Sequence, residues 1–192
     1  MNILVTVFSF ALVLVPVTSQ NIVQSRCNLS EASAPSVHGV RLGLGTDQLV
    51  ALFPGSSNKR EIKDAVAKAK AADASETVYL TFDAGSGGDS ISAGVNKGRV
   101  VDFTAVYVGP SWSTVDEWIG KLAETFKLSA AGEWVAGPDE APNKILKCNG
   151  VEIEAAIQGG GASIRVRNTE YTRGVDERNA AGEEKKRREF KP

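Results

Sequence analysis

The sequence contains few of the residues that most enzymes use for nucleophilic catalysis or metal binding. Its 192 residues include one histidine, His38, and two cysteines, Cys27 and Cys148. A zinc site drawn from histidine and cysteine needs about three or four ligands, so none is expected if the cysteines are oxidised. A serine nucleophile needs a base within hydrogen-bond reach, and His38 lies upstream of the serine motif considered below. The inventory predicts no catalytic residues, no metal and no cofactor.

The chain also lacks a strong charge of either sign. It has 22 basic and 23 acidic side chains and a formal net charge of −1. Nucleic acids and anionic membrane surfaces attract proteins with a large excess of lysine and arginine. We therefore expect neither of them as a partner.

The longest apolar run lies at the N-terminus, where residues 3–15 are mostly apolar. Pro16 would end a helix there, and residues 17–19 resemble a signal-peptidase site. The run is shorter than the roughly 20 residues that span a bilayer, although no lysine or arginine precedes it. We expect a signal peptide over residues 1–19, with an uncleaved anchor as the alternative. After cleavage we expect no transmembrane segment, and export to the periplasm or the extracellular space.

The two cysteines are predicted to form one disulfide, Cys27–Cys148, because exported proteins fold in oxidising compartments. This bond would close a loop of about 120 residues, for which chain entropy suggests about 4–5 kcal/mol. Two buried free thiols are the alternative. Cys27 does not fit a lipidation site, because Gln24, Ser25 and Arg26 precede it.

Short alternating apolar segments separated by glycine-rich turns predict an antiparallel sheet. The candidate extended segments are residues 37–42, 77–82, 91–95, 99–108, 144–148, 151–157 and 162–167. Asn149-Gly150 joins two of them and is a strong signal for a two-residue hairpin turn.

Helical patterns occupy residues 46–53, 59–72 and 114–127. In the last, Thr114 and Glu117 form a capping box, and the apolar residues recur on one face. We predict an α+β fold: an antiparallel sheet of about five or six strands with two or three helices on one face. This single domain would cover residues 20–172, and a charged C-terminal helix or tail residues 173–192.

Two short motifs suggest chemistry but lack the residues that would complete it. Residues 88–90, Gly-Asp-Ser, match the nucleophile motif of the GDS-type esterases, but the histidine of that family lies near the C-terminus. Residues 43–45, Gly-Leu-Gly, begin like a dinucleotide fingerprint, but the third glycine is missing and Pro54 ends the helix that follows. We interpret the first as a flexible loop and the second as a turn before a capped helix.

Three acidic residues on predicted strands are the remaining catalytic candidates. Glu152 and Glu154 share a strand face opposite Val151 and Ile153, so we expect that face to point to solvent. Asp102 is the third. A hydrolase that uses only carboxylates would need a raised pKa on at least one of them.

Two tryptophans are the candidate partner contacts. Trp112 and Trp134 lie in loops beside the two ends of the predicted helix 114–127. Loop aromatics are enriched at protein and ligand contacts. Alternatively, each tryptophan covers an edge of the core.

Residues 39–55 read Gly-Val-Arg-Leu-Gly-Leu-Gly-Thr-Asp-Gln-Leu-Val-Ala-Leu-Phe-Pro-Gly. This segment resembles a motif of small exported bacterial proteins, in which an extended Leu-Gly precedes a capped, short apolar helix. The SmpA/OmlA-type outer-membrane assembly lipoproteins and the β-lactamase-inhibitor-protein-like domains share it. The chain lacks the lipidation cysteine of the former and the methionine that usually precedes the capping threonine. The resemblance implies helices packed on an antiparallel sheet and a role in binding proteins.

These observations rank three functions. The first is a non-catalytic exported domain that binds another envelope or extracellular protein, which predicts an exposed aromatic or apolar patch. The second is a small-ligand-binding protein with a groove near Trp112 and Trp134, which predicts an enclosed cavity with convergent polar groups. The third is a carboxylate-based hydrolase, which predicts buried, paired acids in a cleft.

Overall fold

An antiparallel sheet organises the chain. The computed structural model describes residues 27–71, 76–85, 87–109, 112–129, 131–137, 142–158 and 161–189, and the predicted signal peptide lies outside them. The strands of the described part are β1 (Val78–Asp83), β2 (Ser90–Asn96), β3 (Arg99–Tyr107), β4 (Val135–Ala136), β5 (Asn143–Lys147), β6 (Val151–Gln158) and β7 (Gly161–Asn168). The α+β class is confirmed. The strand count is higher than predicted, partly because β4, with two residues, is too short to have a sequence pattern.

The strands follow the order β1-β2-β3-β7-β6-β5-β4, and every neighbouring pair is antiparallel. Strands adjacent in sequence pair with each other, except at the centre, where β3 pairs with β7 and Phe103 lies opposite Val166. The sheet therefore consists of two meanders, and α3 (Val115–Phe126) lies in the connection between them.

The two faces of the sheet differ, because successive side chains of a strand point to opposite sides. The apolar face carries fully buried side chains from neighbouring strands, including Leu80, Phe103 and Ile153. Helices α1 (Thr46–Ala51), α2 (Arg60–Ala71) and α3 contribute buried residues to the same core. The polar face carries the alternate residues of the same strands: Tyr79, Asp102, Arg165, Arg167, Glu152 and Glu154.

Residues 37–42 do not form the predicted strand. His38 and Gly39 have φ values of 50° and 82°, so the chain reverses between Val37 and Val40, which exchange two backbone hydrogen bonds. The chain then runs beside the start of β3. The three apolar residues of this short segment, Val37, Val40 and Leu42, could not distinguish this tight reversal from a strand.

The structure confirms the predicted α3 and the predicted disulfide. The Thr114 hydroxyl accepts a hydrogen bond from the Glu117 amide, and the helix buries Val115, Trp118, Ile119 and Leu122 on one side. Cys27 and Cys148 are bonded, with their Cα atoms 4.7 Å apart. The disulfide ties the start of the described chain to the turn between β5 and β6.

The C-terminal helix α4 (Thr169–Glu189) follows β7 directly, four residues before the predicted boundary. The hydroxyl of Tyr171 contacts that of Thr77 beside the polar face. Beyond Gly174, every residue whose burial is described is exposed. Among the described residues, no helix is long and apolar enough to cross a membrane.

Candidate functional site

An aromatic cluster lies where β3 passes into α3. Trp112 lies in the loop between them, and its ring centroid is 5.3 Å from that of Trp118, tilted by 43°. Tyr107, from the end of β3, meets Trp118 edge-on with centroids 5.5 Å apart. The Trp118 indole N–H donates to the Ser163 carbonyl at 2.8 Å. Trp118 is thereby fixed on β7 and forms a rigid floor beneath Trp112.

These rings line a small depression, which we call the Trp112 pocket. It has a volume of about 240 Å³ and is formed by Tyr107, Trp112, Trp118, Lys121, Leu122 and Phe126, together with Gly109 and Thr125. A closed apolar cavity of about 150 Å³ accepts benzene, whereas drug-sized ligands occupy about 300–1,000 Å³. The Trp112 pocket therefore fits one large apolar side chain better than a complete small molecule.

Few charged groups reach the Trp112 pocket. The Lys121 ammonium, at the rim, lies 2.8 Å from the Glu124 carboxylate, and this contact lowers the pKa of Glu124. Burial raises the pKa of Tyr107, and the negative charge of Asp89 raises it further. The Tyr107 hydroxyl therefore stays neutral at physiological pH, and the pocket is apolar with the Lys121–Glu124 ion pair at its rim.

Trp134 occupies a different place from Trp112. It follows the 3₁₀ turn Ala131–Glu133, beyond the C-terminal end of α3, and is only 5% exposed. Its indole N–H donates to the Ser129 carbonyl at 3.2 Å. A helix of 12 residues is about 18 Å long, so the two tryptophans do not form one surface. Trp134 belongs to the core, whereas Trp112 is half-buried at its margin.

A second, wider groove surrounds the histidine. It has a volume of about 510 Å³, and its lining includes His38, Leu52, Ser56 and Asp83. Serine, histidine and aspartate are the members of a hydrolytic triad, but Asp83 is engaged by Lys59 at 2.9 Å. No hydrogen bond between described residues joins His38 to Ser56 or to Asp83. This groove therefore lacks the nucleophile–base contact that acyl transfer requires.

The Gly-Asp-Ser motif also has a structural role. Asp89 accepts a hydrogen bond from the Val108 amide at 2.8 Å, which ties the loop before β2 to the end of β3. Ser90 is the first residue of β2. Asp89 thus fixes the loop that the sequence analysis interpreted as flexible, and Ser90 belongs to a strand.

The strand carboxylates are paired with arginines. The prediction that Glu152 and Glu154 point to solvent is wrong: their side chains are only 16% and 19% exposed, and both contact Arg167, at 2.7 and 3.4 Å. Asp102 is buried and bonded to Arg165 at 2.9 Å. Each of the three candidate acids therefore has an arginine as its partner on this face.

Four of the five buried side-chain atoms without a hydrogen-bond partner in the described structure belong to the polar face: Asp102 Oδ1, Asn143 Oδ1, Arg165 Nε and Arg167 Nε. The two oxygens face glycines. A Cβ atom on Gly94 would overlap the Asp102 oxygen, and one on Gly137 would overlap the Asn143 amide. Because glycine has no side chain, there is space beside it for a buried polar group. The two oxygens therefore pack against the glycine backbone and do not point into a cavity.

Sequence reasoning missed the two arginines that organise this face. Arg165 and Arg167 alternate on β7, and Glu152 and Glu154 alternate on β6, the preceding strand. Opposite charges with the same alternation on two strands of one hairpin are the signal that could have revealed the pairing. The part of the chain that the structure describes contains no group of three or more histidine, cysteine, aspartate or glutamate residues that could hold a metal ion.

Comparison with protein-family models, with curated proteins and with solved structures finds no match for this chain. The resemblance of residues 39–55 to exported protein-binding domains therefore remains an expectation from the sequence.

Proposed function

We propose that this chain is an exported, non-catalytic domain that binds another protein, and that the Trp112 pocket receives an apolar side chain of that partner. The observation that carries the proposal is the half-buried Trp112 beside a rigid aromatic floor. Aromatic residues at the margin of a core are the type of residue that dominates binding energy at protein interfaces.

The size and the lining of the pocket favour a protein partner over a small ligand. At about 240 Å³ it accepts one side chain, and its lining offers few of the convergent polar groups that orient small molecules. The disulfide supports export, because such bonds persist in oxidising compartments.

A carboxylate-based hydrolase is the weaker alternative. Its candidate acids, Asp102, Glu152 and Glu154, each contact an arginine. A general acid must be within hydrogen-bond reach of a substrate, whereas these carboxylates are engaged by arginines of the same sheet face. A small-ligand-binding protein stays the second candidate, because the same pocket could hold a single aromatic ring.

Selection of phage-displayed random peptides on the oxidised protein tests the proposal. The selected peptides should share one large apolar residue. Trp112→Ala should weaken their binding at least about tenfold, as expected for an interface anchor. Val135→Ala is the control, because Val135 is an exposed apolar residue on the edge strand β4 and does not line the pocket; binding should not change.

Two results would contradict the proposal. Peptides that bind Trp112→Ala as well as they bind the unchanged protein would show that the pocket is not the site. Tight binding of indole or phenol at the pocket, with no peptide selected, would favour the small-ligand alternative.

A further inference from the structure

The two edges of the sheet are protected to different degrees. The edge at β4 has only two residues and is followed by Gly137. The edge at β1 has six residues, which pair with β2 without a bulge, and it carries no lysine, arginine or proline. Natural proteins usually block exposed edges with these residues, with bulges or with short strands. The β4 edge is therefore closed by its shortness. The strand β1 itself has none of these devices, although Lys59, just before α2, contacts the Asp83 carboxylate at the end of this edge at 2.9 Å.

The hydrogen-bond pattern shows which backbone groups of β1 point outward. The Ala84 amide donates to the Asp89 carbonyl at 2.9 Å, which continues the β1–β2 register in which Asp83 lies opposite Ser90. In antiparallel pairs, hydrogen-bonded residues alternate with residues whose backbone groups point the other way. The amides and carbonyls of Tyr79, Thr81 and Asp83 therefore point away from β2.

Those outward groups are not engaged elsewhere in the described chain. Outside helices and strands, none of the backbone hydrogen bonds between described residues involves residues 78–83. The side chains of Tyr79, Thr81 and Asp83 are exposed as well. The β1 edge therefore presents a regular row of donors and acceptors for another strand.

We propose that β1 pairs with β1 of a second copy of this chain, antiparallel, with the two-fold axis at Thr81. In this register the outward groups of Tyr79, Thr81 and Asp83 form roughly six hydrogen bonds. If the axis is moved to Leu80 or Phe82, apolar side chains of one copy still lie opposite apolar side chains of the other. One residue of each copy whose backbone groups point away from β2 is then left without a partner in the other β1 strand. Moving the register by one residue would place apolar residues opposite polar ones.

The strand is complementary to itself in this register. Leu80 lies opposite Phe82 of the second copy on the apolar face, and Tyr79 lies opposite Asp83 on the polar face. The carboxylates of the two copies therefore face a phenol instead of each other, which avoids like-charge repulsion. The two sheets become one continuous sheet with both apolar faces on the same side, and the Trp112 pocket takes no part in it.

A proline at position 81 tests the proposal by removing the central outward amide. Because this amide points away from β2, Thr81→Pro leaves the β1–β2 hydrogen bonds in place. Thr81→Ala is the matched control, since it also loses the hydroxyl contact to Ser92 but keeps the amide. In analytical ultracentrifugation the unchanged protein and Thr81→Ala should show twice the monomer mass at high concentration, and Thr81→Pro the monomer mass.

Disulfide trapping gives an independent test that does not need the proline variant to fold. Directly opposed Cα atoms of a hydrogen-bonded antiparallel pair lie about 5.5 Å apart, which suits a disulfide. Thr81→Cys should therefore form a covalent dimer under mild oxidation. Tyr79→Cys, equally exposed on the same strand, should not, because its counterpart would be displaced by about 13 Å along the strand.

Two outcomes would overturn the proposal. One is a monomer at all concentrations without a Thr81→Cys crosslink. The other is a dimer that is unaffected by Thr81→Pro and not trapped at position 81. If the β1 edge instead binds a strand of another protein, the chain should be monomeric. Its selected peptides should then bind Thr81→Pro more weakly and Trp112→Ala unchanged.

Discussion

The two faces of the sheet are built from the same strands but stabilised in different ways. On the apolar face, buried side chains such as Phe103 and Ile164 pack under helices, and their stability comes from removing apolar surface from water. On the polar face, Asp102 contacts Arg165 and Glu152 contacts Arg167, so oppositely charged side chains are paired there. Because side chains alternate along a strand, the same strands can form two faces whose stability depends on different interactions. One face depends on burial of apolar surface and the other on pairing of charges.

The polar face restricts which residues can occupy its positions more than a solvent-exposed sheet surface does. Asp102 is held between Tyr79, whose hydroxyl lies 3.4 Å from its carboxylate, and Arg165 at 2.9 Å. Gly94 provides the space for it. This face therefore depends on charge pairing and on the absence of side chains at particular positions.

Loss of Trp118 should have the largest effect on stability. Trp118→Ala removes a buried ring and the indole hydrogen bond to Ser163, and it should lower the free energy of unfolding by about 3–5 kcal/mol in urea denaturation. Lys121→Ala, on the exposed side of the same helix, should change it by no more than about 0.5 kcal/mol. Equal effects at the two positions would mean that the apolar face is not the principal source of stability.

A side chain at position 94 should disrupt the polar face. Gly94→Ala places a methyl group against the Asp102 carboxylate and should lower the free energy of unfolding by about 1–3 kcal/mol. Gly120→Ala is the control, because nothing lies within 4 Å of its new methyl group, and alanine in a helix should stabilise the protein by about 0.5–1 kcal/mol.

A double-mutant cycle sharpens this test. If the cost of Gly94→Ala arises from the clash with Asp102, then the same substitution should cost much less in an Asp102→Ala background. Additive effects of the two substitutions would show that Gly94 is required for another reason.

The smallest expected effect on stability comes from the ionisation of two tyrosines, one on each face of the sheet. Burial raises the pKa of Tyr107 on the apolar side and that of Tyr79 on the polar side, and Asp102 adds to the shift of Tyr79. At alkaline pH the two tyrosine hydroxyl groups therefore keep their protons in the folded protein at pH values at which the unfolded chain has released them. Stability is fully present below the ordinary tyrosine pKa of about 10 and falls as the pH rises through the raised folded values.

Tyr107→Phe should reduce this alkaline loss of stability, measured by urea denaturation between about pH 9 and pH 11. Asp102→Asn should lower the pKa of Tyr79 but not that of Tyr107 in an NMR titration of the ring signals. A change at both tyrosines would mean that the two faces are electrostatically coupled.

Local patterns predicted most of the elements, because their causes lie within a few residues. Asn149-Gly150 forms the turn between β5 and β6, with Gly150 at a φ of 83°. The capping residues and the apolar stripe of α3 lie within one helix, so its bounds were predicted to within one residue. The disulfide was predictable because two cysteines have only one intramolecular pairing.

The remaining features depend on contacts between distant residues. Asp102 and Arg165 are 63 positions apart, and they meet only because β3 pairs with β7, which no local pattern specifies. The reversal at His38 depends on a left-handed conformation, which is uncommon for residues other than glycine. The Trp112 pocket likewise combines a strand end, a loop and a helix.

The central claim is that Trp112 serves binding and not stability, and one variant tests it most directly. The free energy of unfolding of Trp112→Ala should be compared with its affinity for peptides selected on the unchanged protein. The account predicts a loss of no more than about 1 kcal/mol in stability, because the side chain is only half-buried, and at least about a tenfold loss in affinity. A loss of about 3 kcal/mol or more in stability with unchanged affinity would contradict it, because Trp112 would then be a part of the core.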